Sequence, residues 1–182
     1  MTVSPDLDRR FRDRAAREHL LDVAYDLVDT PIGTLLVAAT ERGLCRISYH
    51  PDGMEDVLAR TFGPRVLRSP LDDVRRELDE YFEGRRREFD LPLDVRVAPF
   101  HADVLAELAR VPYGRTDTYG SLAAKVGRPK AARAVGTVMN RNPIPIVLPC
   151  HRILGANGSL TGYAGGLDVK LRLLQLEGAM LI

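Results

Sequence analysis

Apolar residues alternate with polar ones in short runs over the first half of the chain and recur at helical spacing over the second. Asp29-Thr30-Pro31-Ile32-Gly33 reads as a turn, and Thr34 to Ala39 as the strand it opens. Glu41-Arg42-Gly43 turns the chain, and Leu44 to Tyr49 returns with Cys45, Ile47 and Tyr49 on one face, which makes Cys45 a core residue. Met54 to Phe62 predicts a short helix. A second is expected from Ser69-Pro70, as N-cap and first helical position, with Leu71, Val74, Leu78, Tyr81 and Phe82 inward and Gly84 as its stop. Phe89 to Val97 reads as a further strand and link. The expected segments are a charged extension over 1–22, an α+β support over 23–95 and a C-terminal domain over 96–182.

The C-terminal part is helical in pattern. Phe100, Val104, Leu105 and Leu108 share one face up to Pro112-Tyr113-Gly114. A second helix is predicted from Tyr119 to Val126. Gly127-Arg128-Pro129 then connects it to a third, with Pro129 at the first position and Asn140 near the end. Two short helices joined by a tight Gly-containing turn have the form of a helix-turn-helix. On the third helix Lys130, Arg133, Thr137, Asn140 and Arg141 make one polar, cationic stripe, and Ala132, Val135 and Met139 face inward. Ala131, Ala134 and Gly136 keep it slim, so a nucleic-acid backbone can approach.

Charge sharpens that picture. Residues 1–100 carry 16 Lys and Arg against 20 Asp and Glu, whereas residues 101–182 carry 10 against 5, within a net charge of +1. The basic half suits an anionic partner. Hydrophobic content of 45% and 28% charged residues are those of an ordinary globular chain. No apolar run reaches the roughly 18 residues that span a bilayer, and residues 1–17 lack an apolar signal core. Two cysteines and scattered histidines match neither a disulfide framework nor a metal motif, so a reducing cytoplasm and no metal are expected.

Ile144-Pro145-Ile146-Val147-Leu148-Pro149 reads as an apolar, strand-like run that delivers Cys150 beside His151. A thiol is a poor nucleophile at its free pKa of about 8.5 and needs an adjacent base or cation. The dipeptide alone leaves both a buried inert cysteine and an activated nucleophile open.

The run Asn142 to Arg152 resembles the active-site signature of the O6-alkylguanine-DNA alkyltransferases. The resemblance continues through Gly155, Gly158, Leu160 to Leu167, Lys170 and Leu173 to Gly178, and upstream through Val111 to Gly114, Thr118 to Gly120 and Pro129 to Gly136. It covers residues 99–178 closely and residues 23–95 in general layout. It implies an α+β chain with a small ribonuclease H-like N-terminal domain and a helical DNA-binding domain. The implied activity is single-turnover transfer of an alkyl group from guanine O6 in DNA onto Cys150 without a cofactor, with activity on O4-alkylthymine left open.

The resemblance also implies roles. His151 is the base, acting through water, and Glu177 orients it. Tyr119 donates a proton to the departing guanine, Asn142 holds the turn before Cys150, and Lys170 stands near the pocket. Arg133 is the finger that fills the space of the flipped base. Lys130, Ala132, Ala134, Thr137, Asn140 and Arg141 share its DNA face in the minor groove. Tyr163, Ala164, Gly165 and the Ile153 carbonyl line the base pocket. The implied partner is double-stranded DNA, met by a monomer. His101 and Leu105 depart from the family's glutamine and tryptophan, an effect expected on stability. A damage sensor that binds without transferring is the alternative, and Cys150 with the preceding domain argues against it.

Overall fold

The computed structural model describes residues 20–180 together with Ser4, Asp6, Arg10, Arg14, Ala15 and Glu18. The charged extension therefore falls largely outside the described residues. The chain divides into two compact units, Met1–Asp79 with Asp90–Asp94, and Glu80–Phe89 with Val95–Ile182. The expected boundary near residue 96 thus differs in one respect, because residues 80–89 group with the C-terminal unit.

In the first unit, strands β1 (Val23–Thr30), β2 (Gly33–Thr40), β3 (Gly43–Ser48) and β4 (Val66–Arg68) form one sheet in the order β3-β2-β1-β4. The first three are antiparallel, and β4 runs parallel to β1 after helix α1 (Met54–Phe62). Val23, Leu36, Ala38, Cys45 and Leu58 make a buried cluster, which bears out Cys45 as a core residue.

Strand β1 escaped the sequence reading because Asp26 interrupts its pattern. Its carboxylate is buried and accepts from Arg75 Nη2 at 2.9 Å, which makes an acidic residue tolerable in a strand. The strand expected over 89–97 reduces to a bridge between Leu44 and Leu93. Pro92 cannot donate, so only its carbonyl (to Leu44 N, 2.8 Å) and Asp94 N (to Leu44 O, 2.9 Å) pair. Helix α2 (Asp72–Phe82) starts later than Ser69-Pro70 predicted, since Ser69 N is engaged by Tyr25 O at 2.9 Å in continuation of the sheet.

The second unit holds α3 (Pro99–Ala109), β5 (Asp117–Thr118), α4 (Tyr119–Lys125), α5 (Ala132–Asn140), a 3₁₀ turn (Cys150–Arg152), β6 (Ile153–Leu154) and α6 (Leu167–Leu176). Leu108, Leu122, Val135, Ile144, Ile153 and Leu173 are its fully buried centre. The helix-turn-helix is present as α4 and α5, but α5 begins at Ala132 rather than Pro129. Pro129 instead sits in a turn closed by Ala131 N on Arg128 O at 2.8 Å, a use its fixed φ also suits. Val138 joins Val135 and Met139 on the buried face, with Ala132 half-buried.

The apolar run before Cys150 is not a strand. Pro143, Pro145 and Pro149 have no N–H for a ladder, and the chain folds into a tight loop closed by Leu148 N on Ile144 O at 2.9 Å. Ile146 sits at φ 76°, which a β-branched residue adopts only under constraint.

Candidate active site and nucleic-acid interface

Three local devices assemble the site. First, Asn142 braces the loop, its Nδ2 donating to Leu148 O at 2.7 Å and its Oδ1 accepting from Ile144 N at 3.1 Å. Pro149 then makes an inverse γ-turn (φ −82°, ψ 61°), closed by Cys150 N on Leu148 O at 2.8 Å. The 3₁₀ turn that follows carries Cys150, His151 and Arg152 inward together, all buried.

Second, β6 pairs in parallel with β5, matching Thr118 to Leu154. Thr118 Oγ1 caps α4 by accepting from Ser121 N at 3.1 Å, so Tyr119 opens that helix beside the segment leaving Cys150. Third, Lys170 and Glu177 lie two turns apart on α6 and its C-cap, on one face with Leu173 and Leu174.

Glu177 is the centre of the charged cluster. Its Oε1 accepts from His151 Nε2 at 2.8 Å, Arg152 Nη2 at 2.9 Å and the Tyr81 hydroxyl at 2.8 Å. Its Oε2 accepts from Arg152 Nε at 2.8 Å and Gly114 N at 3.2 Å. A carboxylate at a helix C-terminus faces the unfavourable end of the dipole, and these donors offset that. Burial alone would raise the Glu177 pKa, but the hydrogen bonds and charges of His151 and Arg152 outweigh it and hold it down at about 2. Gly114 is required here: it sits at φ 71°, and a Cβ would lie 2.8 Å from Glu177 O.

Burial lowers the His151 pKa against the pull of Glu177, so the resting imidazole is neutral. With Nε2–H on the carboxylate, Nδ1 carries the lone pair, and among the described residues no group partners it. Burial pushes the Cys150 thiol up, while Asn142, the charge of Lys170, the Cys150 backbone and Tyr163 pull toward the thiolate. The resting site is therefore a protonated thiol with a neutral base next to it in sequence. Lys170 Nζ, fully buried, donates to Ile153 O at 2.6 Å and Thr161 O at 3.3 Å. The Ile153 carbonyl named for base reading thus already accepts one hydrogen bond. The Tyr119 hydroxyl meets Thr161 Oγ1 at 2.7 Å, which connects it to the residue whose carbonyl Lys170 holds.

The structure gathers Cys150, His151, Glu177 and Lys170 as buried side chains, with Asn142 and Tyr163 half-buried beside Cys150. Ala164 is exposed and Gly165 half-buried in the loop leading to α6. Lys130, Arg133, Thr137, Asn140 and Arg141 are all exposed, as is Ala134. Gly136 is half-buried, and a Cβ there would stand 3.9 Å from the Tyr119 ring, an ordinary van der Waals contact.

Sequence reasoning gave no site role to Tyr81, Arg152 or Tyr113. Arg152 also donates Nη1 to Val111 O at 2.6 Å, and its guanidinium lies 5.8 Å from the centre of the Tyr113 ring. Tyr113 donates to Leu176 O at 3.1 Å. The available signal for Tyr81 was a hydroxyl on an otherwise apolar helical face, since a buried phenol needs an acceptor.

Residues 23–95 match the family described as "6-O-methylguanine DNA methyltransferase, ribonuclease-like domain", and residues 99–179 its "DNA binding domain". The methylated-DNA–protein-cysteine methyltransferase of Methanosarcina barkeri is 41% identical over 162 residues, spanning 84% of this chain and 96% of that protein. The constitutive methylated-DNA–protein-cysteine methyltransferase of Bacillus subtilis is 39% identical over 155 residues, spanning 84% and 94%. Among solved structures, the O6-methylguanine methyltransferase of Mycobacterium tuberculosis superposes with a TM-score of 0.76 at 39% identity, over 86% of this chain and 93% of that one. The M. tuberculosis OGT in complex with DNA gives 0.77 at 37% identity over the same shares.

Proposed function

The chain belongs to the 6-O-methylguanine DNA methyltransferase family, and on that premise we propose that Cys150 takes the methyl group and that the cluster around Glu177 prepares it. The protein is a methylated-DNA–protein-cysteine methyltransferase that repairs DNA by direct reversal. The observation that carries the assignment of Cys150 is the tautomer of its neighbour. The 2.8 Å bond from His151 Nε2 to Glu177 commits Nδ1 to be the base, in the residue adjoining the only cysteine of the site.

His151 Nδ1 takes the thiol proton, through a water, and Glu177 stabilises the imidazolium. The thiolate Sγ attacks the alkyl carbon in line. The S–C bond forms as the C–O6 bond breaks, and the electron pair passes into the guanine. Tyr119 supplies a proton to the ring as charge develops, so that the thiol proton in effect replaces the alkyl group on the base. Lys170, whose charge favours the thiolate, supports the same step.

The substrate is O6-alkylguanine in duplex DNA, and the base must leave the stack to reach a buried thiol. Extrusion costs a few kcal/mol, less at a damaged pair. The exposed cationic stripe on α5 supports docking in the minor groove, with Arg133 entering the stack and Tyr163, Ala164 and Gly165 covering the flipped base. One chain carries the whole set, which supports a monomer. A thiol spent as a reagent suits the reducing cytoplasm. Among the described residues no helix is long and apolar enough to cross a membrane.

Incubation with a duplex containing O6-methylguanine, followed by mass measurement of the Cys150 peptide, tests the reading. One methyl per chain is expected, and none in Cys150→Ala. Unchanged DNA with an unmodified Cys150 would overturn it, and methyl transfer to more than one equivalent of DNA would overturn the single-turnover mechanism.

A further inference from the structure

We propose that Tyr81 is a positioning residue of the transfer reaction, setting through Glu177 Oε1 how readily His151 takes up the thiol proton. The inference rests on the reading of Cys150, His151 and Glu177 given above. Tyr81 is fully buried and belongs to the unit that holds the site. Its ring is fixed by Phe82, Phe89 and Tyr113, with centroids at 5.3, 5.4 and 6.2 Å. The hydroxyl then lands 2.8 Å from Glu177 Oε1, the same oxygen that His151 Nε2 meets at 2.8 Å.

Two donors on one carboxylate oxygen compete. Each draws charge from it, so each weakens it as a partner for the other. The phenol therefore limits how strongly Glu177 draws a proton onto His151. Without it, the imidazolium gains and the neutral base loses. Tyr81 is also a permanent donor: burial, then the charge of Glu177, pushes its own ionisation far above the physiological range.

The other groups that bear on His151 are fixed. Arg152 and Lys170 both oppose its protonation, and Cys150 precedes it. Arg152 holds both carboxylate oxygens and Gly114 N holds Oε2. Tyr113, with Arg87 5.6 Å from its ring centre, flanks the carboxylate. Of the neutral groups here, Tyr81 alone places a side-chain hydroxyl on the oxygen that His151 uses. A phenol serving structure alone needs an acceptor, but has no reason to tune this one.

The test is Tyr81→Phe in the full chain, which keeps the ring and removes the hydroxyl. Single-turnover methyl transfer from an O6-methylguanine duplex is followed across pH 5 to 9, beside a ¹⁵N titration of the His151 imidazole in free protein. The acid limb of the rate profile and the His151 titration should both move up by about half a pH unit or more, a fraction of the worth of one hydrogen bond to a charged group. The rate should then fall by up to about threefold on the acid limb, below the His151 titration, and stay near that of the unaltered protein at pH 8.5. A uniform loss at every pH with an unmoved His151 titration, or no change at all, would overturn the proposal and leave Tyr81 a structural residue. If the unaltered protein transfers nothing, the reading of the site has failed first, and the two failures are thus distinguishable.

Discussion

Arg152 grips Glu177 side-on, with Nε on Oε2 at 2.8 Å and Nη2 on Oε1 at 2.9 Å, both side chains withdrawn from solvent. A buried carboxylate is tolerated only with such a partner, and removing one member strands the other. Arg152→Met should therefore cost about 3–5 kcal/mol of unfolding free energy at pH 7, measured by denaturant titration. It should also raise the pKa of Glu177, because both guanidinium bonds and the nearby charge vanish. A loss below about 1 kcal/mol would mean that His151, Tyr81 and Gly114 suffice for the carboxylate.

The same cluster fixes how the protein responds to acid. Glu177 has a folded pKa of about 2 against an ordinary 4.5, so it contributes stability above pH 4.5 that is lost as pH falls toward 2. The shift corresponds to roughly 3 kcal/mol for a side chain this buried. His151, also depressed and buried neutral, starts the decline earlier, below its ordinary 6.5, where the unfolded chain takes up a proton that the folded chain resists. Stability from denaturant melts should fall from about pH 6.5 and more steeply below 4.5. Glu177→Gln should be less stable at pH 7 but lose the component below 4.5; an unaltered slope there would assign it to other carboxylates.

Much of this site was readable through the family resemblance, which rests on contiguous matched segments. Cys150, His151 and Asn142 lie within ten positions of one such segment, and Lys170 and Glu177 lie in the matched segments that follow. The unread parts are those that tertiary contacts decide. Tyr81 looks like any inward residue of an amphipathic helix until its hydroxyl is seen to reach Glu177 across 96 positions. Strand β1 was hidden because Asp26 reads as polar until Arg75 neutralises it. The Ile144 to Leu148 run looked like a strand by apolarity, yet its prolines remove the donors a ladder requires.

Asn142 holds the backbone conformation that Ile146 adopts under strain. Its amide ties both ends of the loop, to Leu148 O and Ile144 N, and also favours the Cys150 thiolate. Asn142→Ala should lose about 2 kcal/mol of stability for two hydrogen bonds. It should slow methyl transfer more than that loss implies, because the thiol loses both its position and a group that favours ionisation. Asn142→Asp should restore the Ile144 contact but not the donation to Leu148 O, and should oppose the thiolate. Single-turnover rates of both variants, set against their melting curves, check this; a rate that merely tracked the folded fraction would confine Asn142 to structure.

The exposed stripe on α5 separates two kinds of contact that DNA can make. Lys130 and Arg141, exposed just beyond its two ends, are proposed to neutralise phosphates, a contact blind to the state of the base. Arg133, between them, is assigned to the space left by the flipped nucleotide. Lys130→Ala and Arg141→Ala should each weaken binding to undamaged duplex and reduce the slope of log affinity against log salt by about 0.9, one phosphate's worth. Arg133→Ala should slow transfer from duplex O6-methylguanine by about tenfold or more, since the cost of extrusion is no longer offset. It should leave the rate of any reaction with O6-methylguanine as a free base unchanged, because nothing has to be extruded. A Tyr119→Phe chain should be slowed with both substrates, because its loss falls on the leaving group. If Arg133→Ala slowed the free base as much as the duplex, Arg133 would be acting on the buried cluster itself, and the flipping role would pass to another residue on that face.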